Sequence, residues 1–413
     1  MREIRVLHTE WSTGWGGQEM RIISEILALQ KNYNVKSFIA TKKEAQIAKI
    51  AQKHGIEVVF FPFKSSFDLK SIFGIAKFAK EHNIDIINTH SGKDTWIGWL
   101  SSVFAKTKFI RTRHIGNIIN PNRLNFVNSC ADFIITTGEQ IRLNFIKFNR
   151  INPQKIKSIP TGIDESIFDA SKYDKTAAKT AFSLSQNKII VGNIGLFREV
   201  KRLDLFLQIA LKIHENYPNV EFALAGDGDV KEKITKFIAD NEMQGFVKLL
   251  PFSDEPWLFL KAIDIFMLTS SSEGVPQSLM QALFMQKACI ATNVGSVKDL
   301  HDGSNFLLCP CDFSELYNSL KELLDSTEKL NFLKQNEQKF VRENFSLKKM
   351  SDEIYKIYNL LLNPPESINS ENSENSKLAA ENSETASDLN FLKNSENSDP
   401  AEREQNSKQK AGQ

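Results

Sequence analysis

Short apolar runs alternate with helix-patterned stretches along most of the chain, and this alternation limits the fold more than any other feature. Ile4-Arg5-Val6-Leu7-His8 reads as a first strand, followed by a loop holding Gly14, Gly16 and Gly17. Residues 19–30 then set Met20, Ile23, Ile26 and Leu27 at helical spacing. Further strands are predicted at 35–40, 58–61, 84–88, 109–112 and 133–136, with helical patterns between most of them. A second series opens at 189–192 and continues at 220–225, 247–250, 265–268 and 288–291. Strands that alternate with helices build parallel sheets. The predicted class is therefore α/β, with two doubly wound halves, a seam near residues 165–187 and a cleft between them. Ligands of such sheets bind outside the carboxyl ends of the strands.

A chain of 413 residues exceeds what one core usually organises, which agrees with two domains. At 41% hydrophobic and 25% charged it reads as globular, and it has no apolar run of about eighteen residues to span a bilayer. Met1-Arg2-Glu3 leads straight into a strand without a signal-peptide pattern, so the expected location is the cytoplasm. The four cysteines are scattered apart from Cys309 and Cys311, as expected of ordinary reduced thiols.

Residues 1–165 carry 24 Lys and Arg against 14 Asp and Glu, a balance of +10. Residues 166–363 balance at −3 and residues 364–413 at −5. A basic first half suits peripheral contact with an anionic membrane face or an acidic acceptor; a solvated lysine-rich face is the plain alternative. No nucleic-acid partner is expected. Pro364-Pro365 ends a last helix predicted over 348–362. Beyond it, Ser-Glu-Asn repeats such as 369–376 predict a disordered tail over 364–413, with Leu389-Asn390-Phe391-Leu392 as its apolar cluster.

The chemistry concentrates at predicted strand ends. The strand 264–268 runs into Ser270-Ser271-Ser272-Glu273-Gly274-Val275-Pro276-Gln277-Ser278, which opens an amphipathic helix. Pro276 fits the first turn of that helix, where its missing N–H costs nothing. The free N–H groups of that turn, in the segment Val275-Pro276-Gln277-Ser278 where Pro276 itself has none, suit a phosphate, and Glu273 stands where it can reach a sugar hydroxyl. Gln281 follows about two turns after Glu273. Gly16 and Gly17 allow close backbone approach to a ligand, although glycines at a strand–helix turn are also a common structural feature. Asn88-Thr89-His90-Ser91 and Arg111-Thr112-Arg113-His114 put histidines at strand ends facing the cleft. Gly226-Asp227-Gly228-Asp229 reads as a turn, not as a metal-binding Asp-x-Asp.

These segments, in this order, resemble the retaining nucleotide-sugar glycosyltransferases of family 4 over roughly residues 4–360, through the signature Glu-Gly-x-Pro-x-x-x-x-Glu. The resemblance implies the GT-B architecture. Residues 1–165 would form an acceptor-side Rossmann-like domain, and residues 166–363 a donor-binding domain with a terminal helix. It implies Glu273 and His114 as the catalytic pair, with Glu273 orienting the sugar and His114 touching sugar and phosphate. Arg198 and Lys201 would hold the donor diphosphate, the loop at Phe252 would read the base, and Gln281 would face the ribose. Gln281 departs from the signature, which has Glu there. A carboxylate offers two acceptor oxygens and a charge, whereas Gln offers one acceptor and one donor group.

The implied activity is retaining transfer of a hexosyl-type sugar from a nucleoside-diphosphate sugar to a glycan or lipid-linked acceptor, without a metal or other cofactor. Trp15-Gly16-Gly17-Gln18-Glu19, Thr89-His90-Ser91 and Pro160-Thr161-Gly162-Ile163-Asp164 resemble bacterial enzymes of surface-polysaccharide assembly, of the lipopolysaccharide or lipooligosaccharide core type. Two rivals stand beside this reading: a catalytically weakened homologue that scaffolds glycan assembly, which Gln281 keeps open, and a sugar-nucleotide epimerase of the same architecture. An NAD enzyme is disfavoured because the Gly-x-Gly-x-x-Gly spacing is incomplete.

Overall fold

The computed structural model describes residues 2–116, 118–119, 125–336 and 338–364. The predicted tail lies outside the described residues from Pro365 onward. Two all-parallel sheets organise the rest. The first contains β1 (Ile4–Glu10), β2 (Val35–Thr41), β3 (Glu57–Phe60), β4 (Ile86–Thr89), β5 (Lys108–Arg113), β6 (Phe133–Thr136) and β7 (Ile156–Ser158), in the order β3-β2-β1-β4-β5-β6-β7. The second contains β8 (Ile189–Leu196), β9 (Val220–Asp227), β10 (Val247–Leu250), β11 (Ile265–Leu268), β12 (Ala288–Thr292) and β13 (Leu307–Cys309), in the order β10-β9-β8-β11-β12-β13. β7 and β13 extend the sheets beyond the predicted strands. Each is three residues long at a sheet edge, too short for periodicity to mark.

Strand order reverses between β1 and β4 in the first sheet, and between β8 and β11 in the second. A crevice opens at each reversal, because the flanking connections leave to opposite faces. The loops after β1, β4, β8 and β11 are therefore the ones that can meet a ligand. The strands behind them are buried on both faces, as crossover helices require. Val6, Leu7, Ile86, Ile87, Val191, Phe266 and Met267 are fully buried.

The last helix, Leu347–Leu362, follows the second sheet in sequence, but its apolar side packs on the first. Met350, Ile354, Ile357 and Tyr358 join Ile4, Val6, Leu29, Ile86 and Ile110 in one cluster. The chain thus crosses between halves twice. The crossings run side by side: Ile163 N–H donates to Phe345 O at 2.8 Å, and Leu347 N–H donates to Ile163 O at 3.1 Å. Gly162 makes this approach possible, since a Cβ there would lie 2.6 Å from Leu347 Cα and 2.8 Å from Ser346 O.

Backbone cannot yield as a flexible side chain can. Gly162→Ala is expected to lower unfolding free energy by about 1–3 kcal/mol. A denaturant midpoint unchanged from wild type would mean that the crossing tolerates displacement.

Candidate functional site

The loops after β8 and β11 lock together first. Ser271 N–H donates to Val200 O at 2.8 Å, and Thr269 Oγ1 donates to Lys201 O at 2.9 Å and Arg202 O at 3.0 Å. These bonds bring Lys201 to Glu273, where Nζ donates to Oε1 at 2.6 Å. Ser270 Oγ donates to the same oxygen at 2.6 Å, so both partners crowd Oε1 and the lone pairs of Oε2 are left over. Gly295, at φ +56°, sits against the Glu273 backbone: a Cβ there would lie 1.9 Å from Glu273 O. The carboxylate is thus fixed by its own loop, by a lysine and by a glycine contact.

The helix after Glu273 spans Gln277–Phe284, and no side chain caps it. Pro276 occupies the cap position itself, at φ −72° and ψ 112°, one residue before the first turn in which it was expected. Its carbonyl accepts from Met280 N–H at 3.2 Å, as a cap carbonyl does. The first-turn N–H groups, including those of Gln277 and Ser278, remain without a side-chain partner, the arrangement that favours an anion. Val275 is half-buried against the core of the second half. Gln277 faces the first half and donates from Nε2 to Gly17 O at 3.0 Å. Gln281, one turn later on the same helix face, is buried.

Other contacts complete this seam. The helix Glu139–Asn149 begins with an N–H that Asp299 Oδ2 accepts at 2.8 Å, and Gln140 N–H donates to Ser296 Oγ at 3.3 Å. Asp299, largely desolvated there, has its carboxyl pushed above the ordinary value by burial. A Cβ on Gly274 would come 3.7 Å from His114 O, which puts the two predicted catalytic loops in contact.

Gly16 precedes the helix Gly17–Asn32 and accepts its first intrahelical bond, from Met20 N–H at 3.0 Å. Arg198 is exposed beside Lys201, whose N–H it accepts at 2.9 Å. Phe252 stands apart, 53% exposed on the loop after the edge strand β10. Asp227 accepts from Gly228 N–H and Lys231 Nζ, each at 2.8 Å, as expected of a turn. The close approach there explains the glycines: at Gly226, φ +153°, a Cβ would lie 2.0 Å from Gly195 O. Among the described residues, no group of three or more His, Cys, Asp or Glu side chains is placed to hold a metal ion.

On the other side of the seam the structure adds a feature that motif spacing did not reveal. His8 Nδ1 lies 3.0 Å from His90 Nε2, and His90 Nδ1 lies 3.0 Å from His114 Nε2. Burial pushes His8 down to about 3 and holds His90 and His114 well below the usual imidazole range, so all three are neutral at pH 7. In a neutral chain each contact joins one N–H to one lone pair. His8 Nε2 is buried without a partner. Orphaned N–H groups are rarer than orphaned acceptors. The preferred order therefore has His8 donating to His90 and His90 donating to His114, which leaves the proton of His114 on Nδ1. The alternation of β1 was the available signal, because His8 pairs in register with Asn88 two residues before His90.

Two buried acids stand beside this chain. Asp94 accepts from Thr9 Oγ1 at 2.8 Å and Ser91 N–H at 3.0 Å, and burial raises it to about 6. Glu10, at the end of β1, accepts from Ser12 N–H at 2.7 Å and Gln18 Nε2 at 2.5 Å. Burial, with the charge of Asp94 adding to it, pushes Glu10 from 4.5 to about 8. A carboxyl whose folded value is raised favours the fold fully below its unfolded value and loses that contribution as pH rises through the folded one. Wild type should therefore lose stability relative to Glu10→Gln as pH rises from about 4.5 to about 8. The depressed histidines have the opposite dependence below about pH 6.5, but they cancel in the wild-type-minus-variant difference. Melting temperatures across that range check this; a difference independent of pH would mean that Glu10 titrates normally.

Comparison with known proteins places this geometry in context. The family description "Glycosyltransferase Family 4" matches residues 15–167, and "Glycosyl transferases group 1" matches residues 174–340. The chain is 25% identical over 309 residues to the UDP-Gal:alpha-D-GlcNAc-diphosphoundecaprenol alpha-1,3-galactosyltransferase of Escherichia coli, covering 70% of this chain and 79% of that one. A glycosyltransferase from Rickettsia africae ESF-5 superposes with a TM-score of 0.80 at 16% identity, covering 88% of this chain and 100% of that one. Anabaena Alr3699/HepE in complex with UDP-glucose superposes with a TM-score of 0.71 at 19% identity, over 86% and 99% of the two chains. At such identities the two structures share the fold.

Proposed function

This chain belongs to glycosyltransferase family 4, and we propose that it moves a sugar, with retention, from a nucleoside-diphosphate sugar to a glycan or lipid-linked acceptor in bacterial surface-polysaccharide assembly. One observation carries the reading. The Lys201 ammonium bonds Glu273 just before the uncapped helix that starts at Gln277, and the loop of Glu273 touches that of His114. Such a cluster of a cation, a carboxylate and free N–H groups suits a diphosphate with a sugar attached. The named substrate of the Escherichia coli relative and the ligand of the Anabaena structure make a UDP-hexose the first donor to try.

In this reading the diphosphate gathers charge as the glycosidic bond breaks. Lys201, Arg198 and the helix terminus meet that charge with groups already in place. Lys201 is bonded to Glu273 in the structure described; an arriving diphosphate would compete for its remaining protons, since an ammonium carries three. Glu273 would orient sugar hydroxyls through Oε2, and the Nδ1–H of His114 would donate to the sugar or phosphate. The cations supply the charge compensation, so transfer is proposed to proceed without a divalent ion. The cytoplasm is the proposed location, because nucleotide sugars would be met there.

The test is transfer from a panel of UDP-hexoses to a soluble acceptor, with and without chelator. Turnover is expected in both, and Glu273→Ala should nearly abolish it with the melting temperature unchanged. Lys201→Ala should weaken UDP binding by roughly 1.5–3 kcal/mol, the value of a charged hydrogen bond. Full activity in a folded Glu273→Ala, or a loss on chelation restored by manganese, would overturn this assignment.

Gln281→Glu separates an enzyme from an inert scaffold. If residue 281 faces the ribose, the carboxylate should tighten UDP binding by about 1 kcal/mol with modest change in turnover. Activity that appears only in the variant would identify the natural chain as a scaffold.

A further inference from the structure

The helix Asp94–Ala105 is amphipathic in the wrong sense for water. Its buried side holds Thr95, Gly98, Ser101 and Ser102 beside Ile97. Its outward side holds Trp96, Trp99, Leu100, Val103 and Phe104, at the i, i+3, i+4, i+7, i+8 spacing of one stripe. Val103 is 56% exposed and Phe104 46%. The neighbouring helix, Leu69–Glu81, packs on it through Ser101 Oγ, which donates to Ile72 O at 3.0 Å. This helix extends the stripe: Phe73 is 54% exposed with its ring centroid 5.2 Å from that of Phe104. Phe67 and Phe126, both half exposed, flank Trp96 with centroids at 4.8 and 5.1 Å. The result is a ridge on the first half with two aromatic groups along one helix stripe, Phe73 with Phe104 and Phe67 with Trp96 and Phe126.

Lysines edge the ridge. Lys70, Lys77 and Lys80 share the exposed side of their helix with Phe73, and Lys93 and Lys106 bracket the other helix. The acids nearby are engaged: Glu81 pairs with Lys77 at 3.7 Å, and Asp68 accepts from Ser71 Oγ at 2.8 Å. We propose that this ridge docks on an anionic lipid leaflet, with the Phe and Trp rings among the headgroups and the lysines at the phosphates. Aromatic rings and lysines are the side chains that favour that boundary. A second copy is a poorer occupant, because two faces of a half that balances at +10 would repel. A protein partner is also poorer, because protein interfaces favour arginine over lysine and the cations named here are all lysines.

The ridge begins at the cleft. Asp94, the first residue of its central helix, accepts from Ser91 N–H beside His90. An acceptor held in the leaflet by a lipid tail would thus reach the site along the docked face. That last step rests on the lipid-linked acceptor proposed above; the docking does not.

The test uses the full chain and sedimentation with vesicles of phosphatidylcholine, alone or mixed with phosphatidylglycerol. Binding to the mixed vesicles alone is expected at physiological salt. Phe73→Ser with Phe104→Ser should lower it about tenfold or more, the order expected when two buried rings are lost. Lys70→Ala and Lys77→Ala should each lower it about fivefold. All these variants should keep the wild-type melting temperature and turnover on a soluble acceptor. No binding of wild type to the mixed vesicles, or equal binding by wild type and both sets of variants, would overturn the proposal. So would a dimer in solution that the Phe variants dissociate. Vesicle binding by a chain that transfers no sugar would sink the enzymatic reading and leave the docking surface standing; transfer without vesicle binding would do the reverse.

Discussion

Everything at the cleft depends on glycine backbone being approached more closely than a Cβ would allow. A Cβ at Gly138 would lie 2.5 Å from Ser296 Oγ, and one at Gly295 would lie 1.9 Å from Glu273 O. Gly17 contributes a carbonyl to Gln277 from the opposite half. The polar groups follow from this contact: Asp299 reaches the start of one helix across the seam, and Lys201 reaches Glu273 because its loop is tied to Thr269. Glycine serves here by what it lacks, and directional hydrogen bonds then set the register.

The first half concentrates buried ionisable groups to a degree that an apolar core would avoid. His8, His90, Glu10, Asp94, Arg21 and Arg111 are all buried. Burial of such groups is costly unless their hydrogen bonds are met. Some are met: Arg111 donates to Thr89 O and Thr112 O, and Asp94 accepts from Thr9 and Ser91, whereas Arg111 Nε, Arg21 Nε and His8 Nε2 are buried without a hydrogen-bond partner. Desolvation keeps the histidines neutral, so they transmit orientation and not charge. A neutral, ordered His114 is a directional donor, which suits selection of one hydroxyl or one phosphate oxygen.

The sheets were legible because buried parallel strands are written as continuous apolar runs, such as Ile86-Ile87 and Ile265-Phe266-Met267-Leu268. β7 and β13 were not, because three residues carry too little pattern. The helix at 347–362 was visible, but nothing in its own residues says which half it covers; that depends on Gly162 admitting Leu347. In the candidate site, Lys201, Glu273 and Gln277 were singled out because each lies in a short loop segment that resembles the family pattern, and the structure brings Lys201 and Glu273 together. The histidine chain was not, since His8, His90 and His114 come from three strands that only the sheet order aligns. Glu10 escaped notice because a carboxylate at a strand end looks solvated until its neighbours are known.

The paired crossings at Ile163 and Leu347 also have a mechanical meaning. A single connecting strand would act as a swivel, leaving the halves free to turn about it. Two strands lying side by side and hydrogen-bonded form a flat strap, and a flat strap resists torsion and sliding while it bends readily across its width. Flexing of the halves about the line through Ile163 and Ser346 is the motion that such a strap would oppose least. Such a motion would part Gln277 from Gly17 and Asp299 from Glu139 together and return them in the same register.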